Sequence, residues 1–190
     1  MRRFSVVLLA WMLCALPLAV KAQVVPAASR SRLSLTAGGM GSLFQPDYAG
    51  GGITGASPNR LYGLGAYVDV EFTRWIQLEA EGRWLRFNQF LDIHQDNYLL
   101  GPRVPIHRFG RITPYAKVLF GFGNMNFEFS EASCHCANIA YGGGADVQLT
   151  KRLSLRAIDF EYQQWPDWNV YQNGQLHPYG ASVGIGYKVF

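Results

Sequence analysis

Cysteine, charge and long apolar runs are all scarce in this chain of 190 residues. Of its three cysteines, Cys14 lies in an N-terminal leader, so Cys134 and Cys136 alone cannot build a disulfide framework. Charged residues make up 16%, below the usual quarter or so. No basic run or basic helix is present, which excludes nucleic acid as a partner despite a sequence pI of about 9.0. Losing Arg2, Arg3 and Lys21 with the leader leaves the remaining basic residues almost balanced by the 13 acids. Beyond residue 22 no stretch is apolar enough for a spanning helix, and no segment shows a helical period.

The leader itself is legible. Arg2 and Arg3 give a positive start, and Phe4 to Leu18 is apolar apart from Ser5 and Pro17. Val20-Lys21-Ala22 places small residues where a signal peptidase reads them. Residues 1–22 are therefore expected to be a signal peptide cleaved after Ala22, and residues 23–190 a single exported domain. The apolar run is too short for an anchor helix, which needs roughly 20 residues.

What the chain has in quantity is glycine, 21 residues, and aromatic side chains, 14%. Its pattern is alternation. Eight strands are expected, over Leu33–Phe44, Leu61–Thr73, Ile76–Phe87, Asn97–Val104, Ile112–Asn124, Ile139–Leu149, Leu153–Gln164 and Pro178–Phe190. In the second, Leu64, Ala66, Val68 and Val70 share one face, and Gly65, Tyr67, Asp69 and Glu71 the other. Val118 and Phe120 oppose Lys117, and Ile158 and Phe160 oppose Asp159 and Glu161, in the same way. A run of about ten residues suits a tilted strand crossing a bilayer, whereas soluble strands are nearer five or six. Thr73-Arg74-Trp75 and Thr150-Lys151-Arg152 are tight turns, and Pro105–Arg111 is intermediate. Gln45–Arg60, Asn88–Asp96, Met125–Asn138 and Trp165–His177 are expected to be long loops. Short turns at one end and long loops at the other are the pattern of an outer-membrane barrel. Large aromatics fall near both boundaries: Phe72 and Trp75 at one, Trp84, Phe87, Phe90, Phe127, Phe129 and Trp165 at the other.

Three segments then carry a family resemblance. They are Tyr141-Gly142-Gly143-Gly144-Ala145-Asp146, Leu153 through Tyr162 after its tight turn, and the ending Gly184-Ile185-Gly186-Tyr187-Lys188-Val189-Phe190. Over roughly Leu33 to Phe190 the chain resembles the OmpA-like and opacity-type eight-stranded outer-membrane β-barrels, the outer membrane protein beta-barrel domain. That resemblance implies an all-β, eight-stranded antiparallel up-and-down transmembrane β-barrel in the bacterial outer membrane, surrounded by outer-membrane lipid. It also implies that Tyr187 and Phe190 form the signal read by the barrel-assembly machinery. The family's usual ending has an aromatic two places before the last Phe; here Lys188 holds that place.

Asp69, Glu71, Glu79, Glu81, Arg83, Arg103, Lys117, Asp146, Asp159 and Glu161 are expected inside. An eight-stranded interior is just wide enough for side chains to fill, so they read as a plug of paired charges, with a polar channel as the alternative. Glu79 and Glu81 share a face through the pleat alone, and no nucleophile–base arrangement accompanies them. No catalytic residue and no cofactor is assigned. Cys134-His135-Cys136 sits in an expected loop, where a loop disulfide, an intermolecular one and a metal half-site all remain open. The glycine runs Gly38-Gly39-Met40-Gly41 and Gly142-Gly143-Gly144 lack the Gly-Lys-Ser/Thr that a phosphate loop needs. The expected role is structural or interactive, with the first loop and Trp165-Pro166-Asp167-Trp168 offered to an extracellular ligand or surface partner. A narrow pore, a lipid-modifying barrel enzyme and a soluble lipocalin-like barrel are the alternatives, and the oligomeric state is left open.

Overall fold

The computed structural model describes residues 33–47, 60–90, 92–127, 132–166 and 176–190. Eight strands follow one another: β1 (Ser34–Gln45), β2 (Leu61–Glu71), β3 (Gln77–Phe90), β4 (Ile93–Pro105), β5 (Ile112–Phe127), β6 (Ala132–Gln148), β7 (Leu153–Gln164) and β8 (Tyr179–Lys188). Each pairs antiparallel with the next, and β8 closes on β1, with Gly38 opposite Gly186 and Ser42 opposite Ser182. Closure leaves no edge. In hydrocarbon an unpaired N–H or C=O has nothing to bond, so only a closed sheet is viable there.

Alternation sorts the residues into two faces. Leu64, Val68, Leu100, Phe120, Phe160, Val183 and Ile185 point outward and are exposed, Phe120 at 53%. Asp69, Glu79, Glu81, Arg83, Lys117, Asp159 and Glu161 point inward and are buried. A soluble monomer rarely exposes an apolar patch of more than a few hundred Å², and here the apolar face runs around the whole cylinder. The lipocalin-like alternative needs the opposite arrangement, apolar inside and charged outside. Phe72 and Trp75 at the short-turn end, and Trp84 and Phe87 toward the other, stand exposed at the two rims, where amphipathic rings suit the headgroup zone.

Three expectations change. β3 and β4 run on to Phe90 and Ile93, and β5 and β6 to Phe127 and Ala132, so two of the expected long loops are extended hairpins. Asp92 supplies the positive φ of 55° that the first of these turns needs. Their polar stretches hid the strands, because alternation is legible only where one face is apolar. Second, Cys134 and Cys136 lie within β6, not in a loop. Third, Trp165 points into the barrel at 1% exposure and belongs neither to an aromatic girdle nor to a contact surface. The leader, Phe129, Asp167 and Trp168 lie outside the described residues, as does most of the first loop; of Phe90 and Phe127 the backbone alone is described.

Candidate functional site

The interior is filled in three levels. Nearest the short turns, Arg156 and Arg103 converge on shared carboxylates. Arg156 donates from Nη2 to Asp69 Oδ2 at 3.0 Å and Glu79 Oε2 at 2.9 Å, and from Nη1 to Glu79 Oε1 at 3.1 Å. Arg103 donates to Asp69 Oδ2 at 3.0 Å, to Gln77 Oε1 at 2.9 Å, and to Asp146. Both guanidinium groups stack on tyrosine rings, Arg156 at 3.6 Å from the centre of Tyr67 and Arg103 at 3.7 Å from that of Tyr115. Such stacking satisfies the flat faces that hydrogen bonding leaves bare. Gly38 makes it possible, since a Cβ there would collide with the Tyr67 ring.

Lys117 sits at the centre. Its Nζ lies 2.8 Å from Glu79, 3.1 Å from Glu81, 2.8 Å from Asp159 and 2.6 Å from Glu161. Arg83 grips Glu161 through both Nη atoms, at 2.7 and 2.9 Å, and reaches Glu81 at 3.3 Å. Tyr115 donates to Asp159 at 2.9 Å. Pairing is what makes these charges tolerable, because an isolated buried charge costs several kcal/mol. Oxygens of Glu79, Glu81 and Asp159 lie within 4.8 Å of one another, close enough to suggest a cation site. The Lys117 ammonium contacts each of the three, so the positive charge such a cluster requires is already supplied by the chain.

Above the charges comes a layer of amides. Gln163 donates to Glu161 at 3.3 Å, and its Oε1 accepts from Asn138 at 3.1 Å, Gln95 at 3.4 Å and the Trp165 indole at 3.3 Å. The third level is apolar: Phe44, Leu61, Leu85, Ile93, Met125, Leu176 and Trp165 close the loop end, together with Cys134 and Cys136. Gly123 gives the Trp165 ring its room, because any Cβ there would meet it. Cys134 and Cys136, two apart on one face of β6, are joined as a disulfide. His135 between them is turned outward and stacks on Phe122 at 4.8 Å between ring centres. The pleat therefore separates the imidazole from the sulfurs, and the three cannot share a metal.

Of the interior charges expected from sequence, Asp69, Glu79, Glu81, Arg83, Arg103, Lys117, Asp146, Asp159 and Glu161 are drawn into this network. Glu71 is not; it accepts from Ser34 at 2.9 Å near the mouth. Arg156 was missed by the alternation. Register shifts between Arg156 and Asp159, so Ala157 and Ile158 both face outward while Arg156 and Asp159 both face in. A β-bulge of this kind inverts the parity of everything before it. The excess of acids over bases in the expected interior was the available signal that a cation had been overlooked. The amide layer was also missed, since Gln95, Asn97 and Asn138 carry no charge to mark them.

Solved structures with the same architecture include three bacterial barrels. The N-terminal β-barrel domain of Pseudomonas aeruginosa OprF matches with a TM-score of 0.56 at 15% identity, over 82% of this chain and 96% of that one. Neisserial surface protein A matches at 0.60 and 9%, over 82% and 96%. OprG, also from Pseudomonas aeruginosa, matches at 0.56 and 12%, over 82% and 95%. At these identities the likeness is one of fold. No curated protein sequence is significantly similar. The sequence model of the family described as outer membrane protein beta-barrel domain matches residues 6–188. With the closed sheet and the apolar outer face already in place, the chain belongs to that outer membrane protein beta-barrel domain family and resides in the bacterial outer membrane.

Proposed function

We propose that this protein is a non-conducting, non-catalytic envelope barrel that presents its loop end to the exterior as a structural and surface-interaction element. The observation carrying this reading is Lys117, completely buried and ringed by Glu79, Glu81, Asp159 and Glu161. A lumen whose central cation is bonded on every side has no room for a file of water. The amide layer and the apolar cap around Trp165 then close the same lumen a second time. In this reading residues 1–22 direct export and are removed, the short-turn end faces the periplasm, and Tyr187 and Phe190 are read by the assembly machinery. Tyr187 is exposed near the end of β8 and Phe190 just beyond it, where a folding machine can reach them. The first loop and the segment after Trp165 are the surfaces offered to an extracellular ligand or surface partner.

Planar-bilayer recording of the refolded barrel tests the reading. No steady open level is expected across either polarity of applied voltage. Reproducible ohmic openings that change size when Lys117 or Arg83 is replaced would show a conducting lumen, and with it the narrow-pore alternative.

A further inference from the structure

Charge is sorted along the barrel axis. The short-turn end carries Arg74, Arg108, Arg111, Lys151 and Arg152, all exposed, and Lys188, half-buried at the mouth. Among the described residues no carboxylate lies within ion-pair distance of any of them. The side-chain carboxylates nearby are engaged elsewhere. Asp146 turns inward to Arg103 and Arg156, and Glu71 accepts from Ser34. At the loop end the described charges are of both signs and partly neutralised, as where Arg86 pairs with Asp96 at 2.5 Å.

The unneutralised cations are also held at a definite height. Arg74 lies over the ring of Trp75, 4.9 Å from its centre, and Arg152 donates to the Tyr187 hydroxyl at 3.1 Å. Trp75, Phe72, Phe109, Tyr187 and Phe190 are all exposed on this rim. Such rings settle at the boundary between acyl chains and headgroups, so the cations beside them stand at the level of the lipid phosphates. A basic cluster at that level attracts anionic headgroups, at about 1 kcal/mol per Lys or Arg.

We infer that the short-turn rim is a docking collar for anionic phospholipid headgroups of the leaflet it faces, phosphatidylglycerol-like in chemistry. The phosphate supplies the negative charge that the rim lacks, and the interleaved aromatics seat the glycerol backbone. This inference goes beyond the proposed role and does not depend on whether the lumen conducts.

Spin-labelled lipid association tests it on the intact barrel in phosphatidylcholine bilayers. Labelled phosphatidylglycerol is expected to associate about fivefold more strongly than labelled phosphatidylcholine at low salt. The preference is expected to fall toward unity in 1 M sodium chloride, where the screening length is about 3 Å. It is also expected to be lost in the combined variant Arg74→Gln, Arg111→Gln, Lys151→Gln and Arg152→Gln, and kept in Arg60→Gln/Arg86→Gln at the other end. None of these side chains reaches the interior network, and circular dichroism confirms folding before the comparison is made. Equal association of the two lipids in the unaltered barrel overturns the proposal, as does a preference that survives high salt or rim neutralisation. Loss of the preference on adding inorganic phosphate at constant ionic strength would assign the rim to a free anion instead and overturn the lipid collar. The readout is the same whichever way the barrel faces, so its failure leaves the envelope-barrel reading standing.

Discussion

Replacing Lys117 by methionine is the sharpest perturbation of the interior. The change keeps most of the side-chain volume and removes one ammonium from among Glu79, Glu81, Asp159 and Glu161. Removing one partner of a buried ion pair costs about 3–5 kcal/mol, because the other charge is left without compensation. Here several carboxylates lose the same partner, and Arg83, Arg103 and Arg156 remain to share them. The upper end of that range, about 5 kcal/mol, is therefore expected. Urea unfolding of the barrel in lipid vesicles, followed by tryptophan emission, measures it. With a slope near 2 kcal/mol per molar the midpoint falls by about 2.5 M. A second substitution, Glu81→Gln, should cost less in the Lys117→Met background than alone, since Glu81 then has only Arg83 as a partner and its removal relieves repulsion among carboxylates left with one cation fewer. That non-additivity is what a shared network requires. A loss below about 1 kcal/mol for Lys117→Met, or strictly additive effects with Glu81→Gln, would refute the reasoning.

Other outcomes follow from the same architecture. Phe120→Arg places a charge on the lipid face in the middle of β5 and is expected to destabilise the inserted barrel by about 2–4 kcal/mol, read by the same urea titration; an unchanged midpoint would mean that face does not meet lipid. Trp165→Ala removes a fully buried ring from the apolar cap, with an expected cost of about 3–5 kcal/mol and no appearance of conductance, because the charged level below it still fills the lumen. Intact-mass measurement of the exported protein should give a chain beginning at Gln23, and a start elsewhere would move the proposed cleavage site.

Much of this barrel was legible because a lipid-facing strand writes its two faces in two alphabets. β2, with Leu64, Ala66, Val68 and Val70 against Gly65, Tyr67, Asp69 and Glu71, could be read directly, and β7 kept the expected bounds. Legibility failed where that contrast fades. The His94-Gln95-Asp96 end of β4 rises past the lipid-facing belt, so neither face needs to be apolar and the strand resembled a loop. Arg156 was hidden by a backbone event, the bulge at Ala157-Ile158, which period-two reading cannot see. Trp165 misled for a chemical reason, since an indole suits a headgroup boundary or a dry cap equally well when its N–H finds a partner; here the partner is Gln163. The network itself follows from burial plus charge, yet which carboxylate meets which cation depends on the stagger of strands around the barrel.

The central physical claim is that the apolar side chains face lipid while the charges fill the middle. Methyl-labelled nuclear magnetic resonance of the barrel in phospholipid micelles measures it directly. The methyl groups of Val68, Ile158, Val183 and Ile185 should show cross-relaxation with acyl-chain protons and none with water. Cross-relaxation of those methyls with water, or among themselves in a dry centre, would contradict the account.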